Sequence, residues 1–264
     1  LATLPKEDFP VMATSEYAAN FSAPAPVLRR LFDKSKFAIS TEETRYYLNG
    51  VYMHVAERDG GKVLRCVATD GHRLARIDAE LPEGAAEMAG VIVPRKTVGE
   101  LRKLLDDDDM KVAVSVSETK IRFATPDITL ISKVIDGTFP DYSRVIPTGN
   151  DKLLKIDPKS FAAGVDRVST IATEKTRAVK MALGDDKITL SVTSPENGKA
   201  EEEVPGAYKE DTFEIGFNSR YLMDILSEID SDTVELHLAD ASAPTLIREN
   251  DKSPALYVLM PMRV

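Results

Sequence analysis

Apolar residues recur along this chain at two spacings, every third or fourth position and every second position, and the switches between them mark its elements. Val27, Leu28, Leu31 and Phe32 share one helix face while Arg29, Arg30 and Lys34 lie away from it, and Pro24 and Pro26 open the segment, which predicts a helix over 24–36. Strands are expected at about 46–55, 63–69, 72–78 and 90–94. Asp70-Gly71 carries the signature of a two-residue hairpin with φ positive at both positions, and Asp59-Gly60-Gly61-Lys62 reads as a second hairpin turn. A helix over 96–106 turns Val98, Leu101, Leu104 and Leu105 inward and Arg102 and Lys103 outward. Three alternating runs follow, built on Val112, Val114 and Val116, on Ile121 and Phe123, and on Ile128 and Leu130.

The pattern then repeats. Asp157-Pro158 opens a helix with Phe161, Val165 and Val168 inward, and Ile188, Leu190 and Val192 alternate with hydroxyl residues. A helix over 219–229 carries Leu222, Ile225, Leu226 and Ile229 ahead of Val234, Leu236 and Leu238, with further strands near 244–248 and 254–260. The helix and strand built on Leu101 and Val112 match those built on Leu222 and Val234, so the chain reads as a duplicated unit of roughly 120 residues. Two helices and many antiparallel strands per half give an α+β class, with helices on one face of the sheets. Pro147-Thr148-Gly149-Asn150 separates the halves, so 1–15 is expected as an extended linker and 16–149 and 150–264 as domains.

Composition narrows the function. The length suits two domains, and no apolar run is long enough for a membrane helix. The first residues lack the basic and apolar regions of a signal peptide, and the single Cys66 offers neither disulfide nor metal cage, so a cytoplasmic protein without cofactor is expected. The chain opens on Leu1 rather than Met, which suggests a fragment. A net charge of −9 argues against a uniformly basic nucleic-acid binder, though a sum says nothing of faces.

Candidate chemistry gathers in two places. Ala68-Thr69-Asp70-Gly71-His72-Arg73-Leu74-Ala75 sets a histidine and an arginine after a turn, and Tyr257-Val258-Leu259-Met260-Pro261-Met262-Arg263-Val264 stays apolar to the end. A general base needs a positioned partner, Asp70 lies across the turn from His72, and no Ser or Cys stands in an elbow. No phosphate-binding loop is present, and Asp106-Asp107-Asp108-Asp109 lacks a second acidic motif at metal-ligand spacing. His54 and His237 read as strand-face residues and Cys66 as a small core hydrophobe. Two readings therefore stand side by side: a non-catalytic docking protein, and a metal-dependent nuclease or hydrolase using Asp106–Asp109 or His72.

Six separated motifs bear on that choice: Arg45-Tyr46-Tyr47-Leu48-Asn49-Gly50, the 68–75 stretch, Val91-Ile92-Val93-Pro94-Arg95-Lys96, Asp136-Gly137-Thr138-Phe139-Pro140-Asp141-Tyr142, Glu214-Ile215-Gly216-Phe217-Asn218 and Val258-Leu259-Met260-Pro261-Met262-Arg263. In order and together, they resemble the bacterial DNA polymerase III beta subunit, the sliding-clamp family, over its second and third domains and the linker before them. The resemblance implies tandem clamp domains, no catalysis, and sequence-independent contact with duplex DNA. Its implied partners are the polymerase III alpha subunit, the clamp loader and other proteins with clamp-binding motifs. In the family a homodimeric ring closes through the first domain, which has no counterpart here, so a fragment that does not form that ring is expected.

The resemblance also implies sites. A groove for short apolar peptides would be walled by Leu48, Thr69, Gly71, His72, Arg73, Leu74, Pro140, Arg144 and Val145 on one side, and by Thr176, Asn218, Tyr221, Val258, Leu259, Met260, Pro261, Met262, Arg263 and Val264 on the other. Thr176, Ser242 and Pro244 depart from the family's usual residues. Arg29, Arg30, Tyr46, Tyr47, Arg95, Lys96, Arg102 and Lys103 would face DNA, while the last helix is acidic beyond Arg220. Methionines would give the groove a soft surface, and Pro261 would end the last strand and free the tail to wall it. Two or three buried Leu or Phe anchors, each gaining roughly 1.5–3 kcal/mol less ordering costs, imply about micromolar affinity.

Overall fold

In the computed structural model, residues 3, 5, 8, 16–173, 177–184 and 186–264 are described. Within them the unit βαβββ occurs four times. The first comprises β1 (Ala19–Pro24), α1 (Ala25–Lys36), β2 (Gly50–Arg58), β3 (Gly61–Thr69) and β4 (Arg73–Glu80). The second comprises β5 (Val91–Pro94), α2 (Arg95–Leu104), β6 (Lys111–Val116), β7 (Lys120–Ala124) and β8 (Thr129–Lys133). The third comprises β9 (Lys152–Ile156), α3 (Pro158–Ser169), β10 (Ala178–Gly184), β11 (Lys187–Ser194) and β12 (Gly198–Pro205). The fourth comprises β13 (Phe213–Asn218), α4 (Ser219–Leu226), β14 (Val234–Leu238), β15 (Thr245–Arg248) and β16 (Ala255–Leu259). The α+β class expected from the sequence holds. The duplication is finer than expected, because each half is itself two copies of one unit.

Neighbouring units exchange their first strands: β1 pairs with β6, β5 with β2, β9 with β14 and β13 with β10, all antiparallel. Two four-stranded sheets result, together with one eight-stranded sheet in the order β5-β2-β3-β4-β16-β15-β14-β9. The seam of that sheet is the β4–β16 pairing, from Arg73↔Leu259 to Ile77↔Ala255, which joins the two halves by a backbone ladder.

The alternation of strands explains why the C-terminal run is apolar throughout. In β16, Ala255, Tyr257 and Leu259 face the main core with the helices, while Leu256 and Val258 face a second cluster on the other side of the sheet. Across the seam, Ala75 and Ile77 join the main core and Leu74 the second cluster. A strand covered on both faces carries no polar alternation.

Several elements differ from expectation. The strand expected at 46–55 begins as a 3-10 turn over Glu43–Leu48, closed by Asn49 N–H donating to the Tyr46 carbonyl at 3.0 Å. Its tyrosines favour strand by propensity, yet the turn is needed to bring Leu48 into the second cluster. Five strands were not foreseen: β1, β9, β10, β12 and β13. For β12 the cause is physical, since its Lys199, Glu201 and Glu203 lie on a sheet edge with no apolar period to read. Val179, Met181 and Leu183 do alternate inward in β10, so that signal was present. Positive φ at two successive positions occurs at Asp59 (51°) and Gly60 (81°), flush with the Arg58↔Gly61 pair. At Asp70-Gly71 only Gly71 is left-handed, with φ 89°. Asp70 instead folds the turn with its carboxylate, accepting from the N–H groups of His72 at 2.9 Å and Arg73 at 3.0 Å. The expected linker falls largely outside the described residues, as does Thr176.

Asp157 caps α3, accepting from Ser160 N–H at 2.6 Å, and Pro158 follows at the first helical position. Asp157→Ala is expected to cost about 1 kcal/mol, read as a small fall in the urea midpoint with an unchanged slope.

Candidate docking groove and helix face

The chain end crosses from one half to the other. Met260 N–H donates to the His72 carbonyl at 2.9 Å, in the turn between β3 and β4, and Met262 N–H donates to the Gly216 carbonyl in β13 at 2.7 Å. The tail is therefore pinned beyond Pro261 rather than free, because the Met262 N–H makes the bond that Pro261, with no N–H, cannot make. Gly216 makes the close approach possible, since a Cβ there would lie 2.3 Å from Val264 Cγ1 and 2.7 Å from the Met262 carbonyl oxygen. Under this strap lies a cavity of about 250 Å³ lined by His72, Asn218, Tyr221, Met260, Pro261 and Met262. Asn218 holds its place by capping α4, accepting from Arg220 and Tyr221 N–H, which aims the Tyr221 ring toward His72 with centroids 6.2 Å apart.

Among the described residues, the large apolar side chains left most exposed are Tyr46, Ile128, Val145, Met260, Met262 and Val264. Three of these, Met260, Met262 and Val264, belong to the strap.

The remaining expected wall residues divide. Leu48, Leu74 and Val258 are buried in the second cluster with Val67, Ile92, Phe139 and Leu256. Residues 139–146 cross that cluster, burying Phe139 while Pro140, Arg144 and Val145 stay exposed. Thr69 shapes the turn, donating to the Arg73 carbonyl at 2.7 Å and accepting from the N–H of the exposed Gly71 at 3.1 Å. Arg263 is exposed at the end of the strap. Leu259 is not a wall residue, because it completes the main core at 0% exposure.

Arg73 also departs from expectation. Its side chain is 9% exposed, and the guanidinium donates to Asp70 at 3.1 Å, to Asp224 at 2.5 Å and to the Phe37 carbonyl at 2.7 Å. It lies 4.2 Å from the centre of the Tyr221 ring. Three acceptors and a ring face use its donors, so it ties the turn to α4 rather than facing the apolar groove. Phe139 and Leu256 were missed as floor residues; the two-faced apolar run of β16 was the signal that could have found Leu256.

A second cavity, polar and of about 470 Å³, shares His72, Asn218 and Tyr221 with the groove and adds Lys36, Arg95 and Arg220. Of the residues expected to face DNA, Tyr46 is 54% exposed and stands edge-on to Tyr47 at 5.8 Å. Arg95 and Lys96 are exposed at the start of α2 and have no ion pair among the described residues. Arg29, Arg30, Arg102 and Lys103 each pair with a carboxylate, on Asp108, Asp230, Asp33 and Glu100 respectively.

The outer face near residues 139–146 holds a buried polar network. Arg65 donates to both Asp78 oxygens at 2.6 and 2.8 Å and to Tyr142 Oη at 3.3 Å. His54 Nδ1 donates to the Val55 carbonyl at 2.9 Å, so Nε2, 3.0 Å from Tyr142 Oη, accepts. Burial, with Arg65 adding to it, holds the His54 pKa below its ordinary value against the pull of the Val55 carbonyl and Asp78. An imidazole with a depressed folded pKa binds fewer protons folded than unfolded. Its contribution to stability is complete above pH about 6.5 and declines as pH falls below that value. Wild type is thus expected to lose more thermal stability than His54→Gln between pH 7.5 and 5.5; equal losses would remove His54 as the sensor.

Residues 23–141 match the family model of the DNA polymerase III beta subunit, central domain, and residues 143–263 that of its C-terminal domain. The chain belongs to the DNA polymerase III beta subunit family, the beta sliding clamps. It is 49% identical to the beta sliding clamp of Caulobacter vibrioides over 264 residues, which is all of this chain and 71% of that protein. It is 40% identical to the clamp of Pseudomonas aeruginosa, again covering 71% of it. A crystal structure of the Bartonella birtlesii sliding clamp bound to griselimycin superposes with a TM-score of 0.96 at 50% identity, covering the whole of this chain and 71% of that one. The family's function is that of a sliding clamp in DNA replication, a non-catalytic one, and this sets aside the nuclease and hydrolase reading. His72 lines the cavity of about 250 Å³, and Asp106 and Asp108 pair with Arg102 and Arg29.

Proposed function

We propose that this chain, as the second and third clamp domains over 16–149 and 150–264 after a linker at 1–15, docks short apolar peptides of its partners in the groove under the 260–264 strap. The carrying observation is that the turn after β3, the start of α4 and the chain terminus converge on one cavity of about 250 Å³, so the groove exists only where both halves meet. Pro140, Arg144 and Val145 extend its rim over the second cluster, whose floor includes Leu48, Leu74 and Val258. Its occupants would be segments of the polymerase III alpha subunit, the clamp loader and other proteins with clamp-binding motifs. Each holds on through two or three apolar anchors and exchanges readily at about micromolar affinity.

Duplex DNA is proposed to pass the faces of α1 and α2, touched at its phosphates without reading of bases, by Arg95 and Lys96 with Arg29, Arg30, Arg102, Lys103, Tyr46 and Tyr47. Ring closure would be the work of two full-length protomers in the cytoplasm. Among the described residues no helix is long and apolar enough to cross a membrane. The test is fluorescence anisotropy of a labelled peptide carrying Leu and Phe anchors, titrated with the whole chain. Saturable binding near micromolar, weakened at least tenfold by Tyr221→Ala, is expected; no saturable binding, or no change in that variant, would reject the groove.

A further inference from the structure

The cations on the α1 and α2 faces are unequal. Asp108 accepts from Arg29 Nη2, whose Nη1 donates to the Leu105 carbonyl at 3.1 Å. Asp106 accepts from Arg102 Nη1 at 3.3 Å, while Arg102 Nε is bound by Asp33 at 2.8 and 3.0 Å. Both aspartates belong to the run Asp106–Asp109 between α2 and β6. They are 74% and 81% exposed at Asp108 and Asp106, whereas the arginines they hold are 24% and 32% exposed. Asp107 and Asp109 take no cation among the described residues; the Asp107 carboxylate accepts only from the Asp109 N–H at 2.9 Å.

We propose that Asp108, together with Asp106 beside Asp33, sets how loosely this chain holds duplex DNA, by keeping Arg29 and the second edge of Arg102 occupied with internal carboxylates. The proposal rests on the reading of α1 and α2 as the DNA-facing elements. A phosphate that reaches an unpaired arginine gains a full contact and releases a counterion from the DNA. A phosphate that reaches Arg29 or Arg102 must displace a carboxylate, which then takes up a cation from solution, so the net release and the gain are smaller. Exposed pairs of this kind are individually weak, so displacement stays possible and reversible. The result is a face that trades acids for phosphates as the duplex moves, instead of gripping one phosphate. Arg95 and Lys96, which have no such partner among the described residues, supply the firmer contact. This gives the acidic run a use beyond that of a solvated turn.

The test measures binding of the whole chain to a short fluorescent duplex over a range of salt concentrations. Asp106→Asn with Asp108→Asn frees Arg29 and one edge of Arg102, which stays bound to Asp33, and is expected to tighten binding about fivefold at low salt and to steepen the slope of log K against log salt by about one. Asp107→Asn with Asp109→Asn removes the same charge from the same loop but leaves both arginines paired, and should change affinity less than about twofold. Arg95→Ala with Lys96→Ala should weaken binding. If that last variant weakens binding while Asp106→Asn/Asp108→Asn matches wild type, the face binds DNA and the proposal is wrong. Equal tightening in the two aspartate pairs would reduce the effect to net charge and overturn it. No change in Arg95→Ala/Lys96→Ala would remove the DNA-facing reading and the proposal with it.

Discussion

Met262→Asp is expected to abolish binding of an apolar peptide while leaving the fold intact. The Met262 side chain is 38% exposed and lines the groove, whereas its backbone N–H is what holds the strap to Gly216. The substitution keeps the backbone bond and removes a side chain that lies outside both core clusters, so the melting temperature should stay within a few degrees of wild type. A carboxylate under the strap remains hydrated in the free protein. A docking Leu or Phe would strip that water without offering a donor, at a cost of several kcal/mol. A loss of at least about 2.7 kcal/mol, a hundredfold in Kd, is therefore expected, which takes a micromolar complex beyond 100 μM. The measurement is anisotropy of the labelled peptide beside a thermal melt. Gly216→Ala reaches the same end differently, since its Cβ would drive Val264 and the Met262 carbonyl away and open the strap. Wild-type affinity in both variants would place the peptide elsewhere.

The residues that converge on the candidate groove are in part legible in the sequence, and the rest are not for identifiable causes. The apolar terminus pointed to Met260 and Met262, because chain ends are usually polar, and the histidine and arginine set directly after the Asp70-Gly71 turn pointed to His72. Tyr221 and Asn218 came only through the family resemblance; nothing local separates a capping Asn from one at a groove. Arg73 was misplaced because residue type says how many donors a guanidinium has but not that Asp70, Asp224 and the Phe37 carbonyl would take them. Leu259 was misplaced by one step of the strand, since alternation sends Val258 to one face and Leu259 to the other. In the fold, the four-unit repeat was hidden because equivalent strands have different surroundings. The β4 and β16 strands are sealed against each other, whereas β8 and β12 are sheet edges and carry polar residues.

Asp78→Ala is expected to produce a large loss of stability, about 3–5 kcal/mol, without touching the groove's lining. Asp78 has a side chain 2% exposed, in β4 beside the seam, and its two oxygens satisfy Arg65, itself 10% exposed. Truncation leaves a guanidinium buried with only Tyr142 Oη and no counter-charge, next to Arg76, whose Nε already lacks a partner. Neither arginine can shed its proton at any pH the protein survives, so the charge stays and the fold bears the cost. For a chain of this size that corresponds to a fall of roughly 10 °C in melting temperature. The pair's own contribution is a separate quantity. Replacing Arg65 and Asp78 together by Met and Leu removes both charges at once, and should recover most of the loss, because a buried ion pair and a packed apolar pair are often near parity. A double variant as unstable as Asp78→Ala would instead mean that Arg65 is needed for its bond to Tyr142, and so for the seating of residues 139–146 over the second cluster. Peptide affinity separates these cases. It should survive in the double variant if the network only stabilises, and fall with the rim residue Val145 if the network also places the segment that carries it.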